Sequence, residues 1–504
     1  MSALTLDQLR ADGERFTEEI SRESFLAHAG FKAEAELEPI YRRFRHVTDR
    51  EALEFVLDLF RATAPDGEAH RSARTLLEWQ VDANVSREVV QLDEREIAWE
   101  SSATISVAGV RTLPYQRAPI EIANTPERAE REAIDDARAR VAGAEHGPLR
   151  QERIQREREL VESFGIAGNY VESFAALTGI SLENLAGQCA AFLNDTQPMW
   201  DDVLPHYLKS MLGISPAMAT RADALRLFRA AEFDAGFPAT DLAPAVRQHV
   251  TEMGVDPAAG GRIIYDLDER EGKRSRAFCA PVRVPTEVYL VLRPHGGQSD
   301  FTTLLHELGH ALHFAHAADT LPFEFRWLGD NSVTESYAML FDHRMHDRGW
   351  LRRYTQLGAQ VDRFRRMMAF EELHFIRRYC AKLLYEMEVY EPDGALDGLP
   401  DTYVDRLTSA TGFRYRPEDA FVDLDSGFYS SRYLRAWQLQ ALINEMLIEK
   451  FNDDWYRNPA AGPWLTGELL QRGQRETADE LAQLLGGELS FAPLVRSIER
   501  GLEA

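Results

Sequence analysis

Two histidines stand four positions apart with a glutamate beside the first, in the run His306-Glu307-Leu308-Gly309-His310. On an α-helix, positions four apart lie about 6 Å along the axis and about 40° around it. Two neutral imidazoles so spaced converge on one divalent ion, with bonds of about 2.0 to 2.1 Å if the ion is zinc. Glu307 points about 100° away from His306, where it can take a proton from an attacking water without ligating the ion. The chemistry implied is metal-assisted hydrolysis.

Zinc needs a third protein ligand. His316 stands six residues beyond His310, the offset of H-E-x-x-H-x-x-G-x-x-H, but the turn-forming glycine of that arrangement is replaced by His313 and the run ALHFAHA continues the helix. On a straight helix His316 lies about 15 Å, and His313 about 10 Å, beyond His306 along the axis. Neither can share an ion with it. The other candidate is Glu335, 25 positions after His310, on a helix that Asp330 or Ser332 can cap. Asp342 follows two turns later on the same face, placed to hydrogen-bond a ligating histidine and fix its tautomer.

The elements that must position these residues are mostly helices. Leu6 to Phe25 and Arg50 to Ala62 carry apolar residues at three- and four-residue spacing. SATISVAGVRTLPY alternates like a strand or sheet edge. NTPERAEREAIDDARARV predicts a helix capped by Thr125 with Pro126 at its first position, its charges laced in i, i+4 pairs on a solvated face. Proline and glycine become frequent between Ser210 and Asp300, where Glu287 to Leu292, bounded by Pro285 and Pro294, reads as the clearest strand. That strand offers an edge to which an extended peptide can add. Ser299 or Asp300 can cap the helix that carries His306.

The 504 residues hold 82 acidic and 57 basic side chains, a net charge of −25. So acidic a surface repels phosphate backbones and anionic headgroups, which speaks against nucleic acid and membranes as partners. No run approaches the roughly 18 apolar residues of a membrane span. The first residues lack the basic and apolar regions of a signal peptide, and three widely spaced cysteines form no disulfide framework. A reducing cytoplasm is the expected compartment.

GKRSRAFC at Gly272 to Cys279, then TEVYLVLRP, then SDFTTLLHELGHALH resemble consecutive segments of the thimet oligopeptidase and oligoendopeptidase F family. NTPERAEREAI and GNYVESFAALTGISLENLAGQCAAFLNDT resemble that family's helical amino-terminal half, and PWLTGELLQRGQRETADELAQLLG its closing helices. The likeness runs from about residue 120 to 500 and is strongest over 270 to 345. It implies a mainly α fold, a two-lobed helical body enclosing a channel, with one small sheet beside the H-E-x-x-H helix. It implies one zinc ion held by His306, His310 and Glu335, with Asp342 where the family usually has a second glutamate, and short peptides as substrates. The lobes are expected at 1–209 and 210–504.

One departure stands out. The family usually carries a histidine followed by G-Y-Y-x-Y-L-W, which covers the substrate and steadies the oxyanion. Here the stretch reads FVDLDSGFYSSRYLRAWQLQAL, and no histidine follows His374. Tyr433-Leu434 aligns with the last Tyr-Leu, making Tyr433 the first choice of oxyanion donor and Tyr429 the second. Arg432 and Arg435 could hold a peptide's terminal carboxylate if they face the channel. The reading is a zinc metallo-oligopeptidase with Glu307 as general base. The alternatives are a metallocarboxypeptidase and a non-catalytic zinc-containing peptide-binding protein.

Overall fold

Among the described residues helices make up 72% and strands 5%, the strands forming two small sheets where one was expected. The computed structural model describes residues 4–65, 67–108, 111–274, 276–391 and 398–503. In chain order, the helices that hold the site and the cores are α1 (Leu6–His28), α2 (Arg128–Val141), α3 (Gly147–Ser163), α4 (Tyr170–Thr178), α5 (Leu182–Asp195), α6 (Gln298–His316), α7 (Asn331–Asp342), α8 (Val361–Val389), α9 (Leu399–Thr411) and α10 (Tyr429–Phe451). The strands are β1 (Thr104–Val107), β2 (Arg111–Pro114), β3 (Ile263–Asp266), β4 (Phe278–Arg283) and β5 (Glu287–Val291). No helix among the described residues is long and apolar enough to cross a membrane.

The chain divides into two compact units, one of residues 1–84, 232–366 and 435–504, the other of 85–231 and 367–434. The single cut expected between 209 and 210 falls inside the second unit.

In the first unit, β5 lies in the middle of its sheet, parallel to β3 and antiparallel to β4. The edge expected at Glu287 to Leu292 is therefore not an edge: β5 is hydrogen-bonded on both sides, and β3 and β4 are the outer strands. Its near-continuous apolar run fits that central place, since Val288, Leu290 and Val291 are all buried. Phe25 of α1 and Ala29, the residue just after it, cover the sheet and pack on Ala280, Val282 and Val291. Phe25 also stacks on Tyr289 with ring centroids 3.9 Å apart. α6 starts after Gly297, and neither Ser299 nor Asp300 caps it. Asp300 Oδ2 instead accepts from the N–H groups of His295 and Gly296 at 2.6 and 2.8 Å, tying down the turn that leads in.

In the second unit, β1 and β2 form an antiparallel pair whose Ile105 and Leu113 pack with Ile122, Ile134 and Ala137. α2 begins at Arg128, not at Pro126. Thr125 precedes a proline and is extended, with its hydroxyl donating backwards to Glu121 O at 2.7 Å, so it closes the helix before instead of opening this one. Nor is α2 a solvated charged face. Arg138 is buried and forks onto Asp419 at 2.7 and 2.8 Å, while buried Arg131 meets Asp223 at 2.9 Å. Those carboxylates lie far away in sequence, so the charges of α2 serve an internal network that its own periodicity could not reveal.

Candidate metal centre

α6 and α7 touch at Gly309. A Cβ there would stand 2.5 Å from Ala338 Cα and 2.5 Å from Tyr337 O, so only glycine lets the two backbones approach so closely. Asp330 caps α7 by accepting from Ser332 N at 2.9 Å, as its type suggests. The approach brings Glu335 to the side of α6 that carries both motif histidines.

His306 Nε2 lies 3.3 Å, and His310 Nε2 3.7 Å, from Glu335 Oε2. All three donor atoms fall within 4.8 Å of one another. Ligands bonded tetrahedrally to zinc at 2.0 to 2.1 Å stand about 3.4 Å apart, so the spacing fits one such ion at their centre. The opposite ring nitrogens are occupied: His306 Nδ1 is 2.8 Å from Asp342 Oδ2, and His310 Nδ1 is 2.9 Å from Thr334 Oγ1. Two imidazoles and one carboxylate suit zinc better than magnesium, which takes oxygen ligands in an octahedron.

The electrostatics are uneven. Burial pushes the His310 imidazole down to about 4, leaving it neutral. Burial acts the same way on His306, but the carboxylates of Asp342 and Glu335 outweigh it and hold that ring well above the usual histidine range. Glu307 lies on α6 one position after His306, and its Oε2 accepts from the Cys279 N–H of β4 at 2.8 Å. Burial raises its carboxyl above the ordinary value, against the pull of His306.

His313 and His316 turn away from this point. His313 is buried, with Nε2 3.0 Å from Gly473 O, and His316 Nδ1 lies 2.8 Å from Leu312 O in its own helix. Arg435 has another task than the one expected of it. Its guanidinium donates to Asp330 Oδ2 at 2.8 Å and Ser332 Oγ at 3.0 Å, and it pairs with Asp479. It is thus spent on bracing the start of α7 and offers no fork to a peptide. Arg432 is buried too, on α10 in the second unit. Tyr429 and Tyr433 share that unit and meet edge to face, with ring centroids 5.1 Å apart.

Gly309, Thr334 and Cys279 contribute to the site without having been singled out from the sequence. Gly309 sits inside the motif, and its spacing was visible. Thr334 and the Cys279 amide act through geometry that no residue type announces. Lys273 is a further case: its buried ammonium donates to the carbonyls of Asp266, Asp268 and Leu292 at 2.8, 2.8 and 3.0 Å, fastening the ends of β3 and β5.

No protein-family model and no curated protein matches this chain. Solved structures match it in fold. An M32 carboxypeptidase from Deinococcus radiodurans R1 superimposes with a TM-score of 0.64 at 15% identity, covering 99% of each chain. A carboxypeptidase from Pyrococcus furiosus gives 0.66 at 13% identity, covering 99% of this chain and 100% of the other. A structure described as an oligoendopeptidase F gives 0.68 at 16% identity, covering 100% and 97%. The chain therefore has the mainly α fold that these carboxypeptidases and oligoendopeptidase F share, and the likeness extends beyond the segments in which the sequence resembles the family.

Proposed function

We propose that this protein is a zinc-dependent metallopeptidase that hydrolyses short peptides. The observation that carries the reading is the convergence of His306 Nε2, His310 Nε2 and Glu335 Oε2 beside a carboxylate, Glu307, that is not part of the triangle. A purely structural zinc would have four protein ligands and no use for that carboxylate. Solved structures of the same fold are described as carboxypeptidases and oligoendopeptidases, which supports peptides as the substrate class.

In this reading His306, His310 and Glu335 hold the ion, and Asp342 and Thr334 orient the two rings. The bound ion would supply Lewis acidity for the scissile carbonyl and the attacking water. Glu307, oriented by the Cys279 amide and made more basic by burial, takes the water's proton and hands it to the leaving amine. Tyr433, with Tyr429 as the second choice, donates to the oxyanion. An interior free of disulfides suits a reducing cytoplasm.

A carboxypeptidase mode is the second reading, favoured by the two neighbours so described. Arg435, committed to Asp330 and Asp479, does not serve that mode as a carboxylate fork. The test is mass spectrometry of a short-peptide library incubated with the purified zinc-loaded protein. Cleavage should appear, vanish with chelator, and fall about 10²- to 10⁴-fold in Glu307→Gln at unchanged zinc content. Intact peptides in the presence of one equivalent of zinc would overturn the peptidase reading. Cleavage of free-acid but not amidated peptides would select the carboxypeptidase mode.

A further inference from the structure

The stretch that leads into Tyr429 is fastened to the second unit at almost every step. Asp423 receives Arg378 at 2.5 Å, and Lys382 Nζ reaches Asp425 Oδ2 at 2.5 Å. Arg153 donates to Ser426 Oγ at 2.8 Å, and the Gly427 N–H to the Tyr170 hydroxyl at 3.2 Å. Phe428 is fully buried against Phe174 and Tyr390, although its φ of 46° lies in the left-handed region that bulky residues avoid. Such a conformation persists only where the surroundings over-determine it, and it is found preferentially at functional sites.

The last fastening is the most unusual. Ser430, in the first turn of α10, donates to Glu386 of α8, a carboxyl with no solvent exposure. Burial pushes that carboxyl up to about 8, against the opposing effects of Lys382 and Ser430, so at neutral pH it is an uncharged acid. An acid kept in the interior at such cost, accepting from the Ser430 hydroxyl and the Asp425 N–H, is poor glue compared with an apolar side chain. Ser430 stands between Tyr429 and Tyr433, which are one helical turn apart. A small rotation of that turn swings both rings. Tyr379, also on α8, meets Tyr433 edge to face at 5.5 Å and holds the same end from the other side.

We infer that Glu386 is a positioning residue for the reaction, setting the directions of Tyr429 and Tyr433 through its bond to Ser430. The inference rests on the proposed role of those tyrosines as oxyanion donors. It does not place Glu386 in contact with substrate. It assigns to a fixed, buried hydrogen bond the placement of two side chains in a segment that departs from the family pattern.

The experiment measures kcat, KM and bound zinc for the full-length chain on a peptide that it cleaves. Glu386→Leu should lower kcat about 10- to 100-fold, the cost of misplacing a reacting group by about an ångström, with KM within about twofold and zinc unchanged. Glu386→Gln, which keeps an acceptor for Ser430 in the same volume, should restore kcat to within about threefold. Ser430→Ala breaks the same bond with a smaller change and should show the same loss, so it decides the matter if Glu386→Leu does not fold. Combined with Tyr429→Phe and Tyr433→Phe, Glu386→Leu should cost nothing further. Unchanged kcat in Ser430→Ala, or an equal loss from Glu386→Leu with both hydroxyls already removed, overturns the inference while leaving the tyrosine role intact. Unchanged kcat in the double tyrosine variant overturns the oxyanion role, and the inference with it.

Discussion

His306 Nδ1 stands 2.8 Å from Asp342 Oδ2, across the contact between α6 and α7. An ionised carboxylate only accepts, so Nδ1 carries a proton toward Asp342, which leaves Nε2 as the ring nitrogen that would bind the ion. Asp342→Asn should weaken zinc binding about 10- to 100-fold, read by competition with a chromogenic chelator. Asp342→Glu, the residue usual at this place in the resembling family, should stay close to the parent. An asparagine variant as tight as the parent would remove Asp342 from the site.

Gly309 fixes the distance between the two ligand-bearing helices. Alanine is the better helix former by about 1 kcal/mol, so propensity alone favours Gly309→Ala. The 2.5 Å approaches to Ala338 Cα and Tyr337 O are backbone contacts that cannot swing aside. The variant should lose about 1 to 3 kcal/mol in urea unfolding and bind zinc more weakly, because Glu335 moves away with α7. Gain of stability would show that the helices part freely.

Arg377 is a buried cation whose hydrogen bonds go to neutral groups. It donates to Ala410 O at 2.7 Å and Leu193 O at 2.9 Å, in the last turns of α9 and α5, and to Thr196 Oγ1 at 2.7 Å. The negative ends of two helices thus stand in for a carboxylate. Arg377→Leu strands those acceptors and should cost about 3 kcal/mol or more by urea denaturation. Arg377→Lys should recover little, since an ammonium lacks the planar fork that spans them.

His249 should give the protein an acid-labile branch. Burial, with Arg344 adding to it, pushes the ring down to about 3, while Glu252 acts weakly the other way. Trp350 Nε1 donates to its Nδ1 at 3.4 Å, and the rings of Tyr354 and Tyr456 pack nearby. The folded value lies below the unfolded one of about 6.5, so the unfolded chain binds the proton first. The contribution is complete above about pH 6.5 and is lost as pH falls towards 3, amounting to about 2 kcal/mol by pH 5. His374, pushed to about 3 by burial, acts in the same direction. Urea unfolding at pH 7 and pH 5 should show the fall, and His249→Phe should reduce it by about that amount; an identical slope in the variant would refute the assignment.

Local signals in the sequence were legible where one residue acts on its near neighbours. The mainly α character, the cap at Asp330 and the spacing of His306 and His310 are of this kind. What could not be read depends on partners distant along the chain. Thr125 looked like a cap until the extended backbone before Pro126 made it a terminator. The charges of α2 looked solvated because Asp223 and Asp419, which neutralise them, lie 92 and 281 positions away. Arg435 looked available for a ligand because nothing near it in sequence points to Asp330. β5 was recognisable as a strand, but its central place depends on which strands pair with it.

The first unit is assembled from three separated stretches, and this orders events while the protein is being made. All three proposed metal ligands emerge within residues 232–366, but Phe25 and Ala29 must wait some 250 positions for the strand they cover. At 5 to 20 residues per second, α1 would trail from the ribosome for about 12 to 50 seconds with its apolar face uncovered. Arg435, which braces Asp330, follows it by 105 positions. The helix that carries Glu335 is therefore born before its brace, and zinc taken up during synthesis would meet a site still missing part of its support.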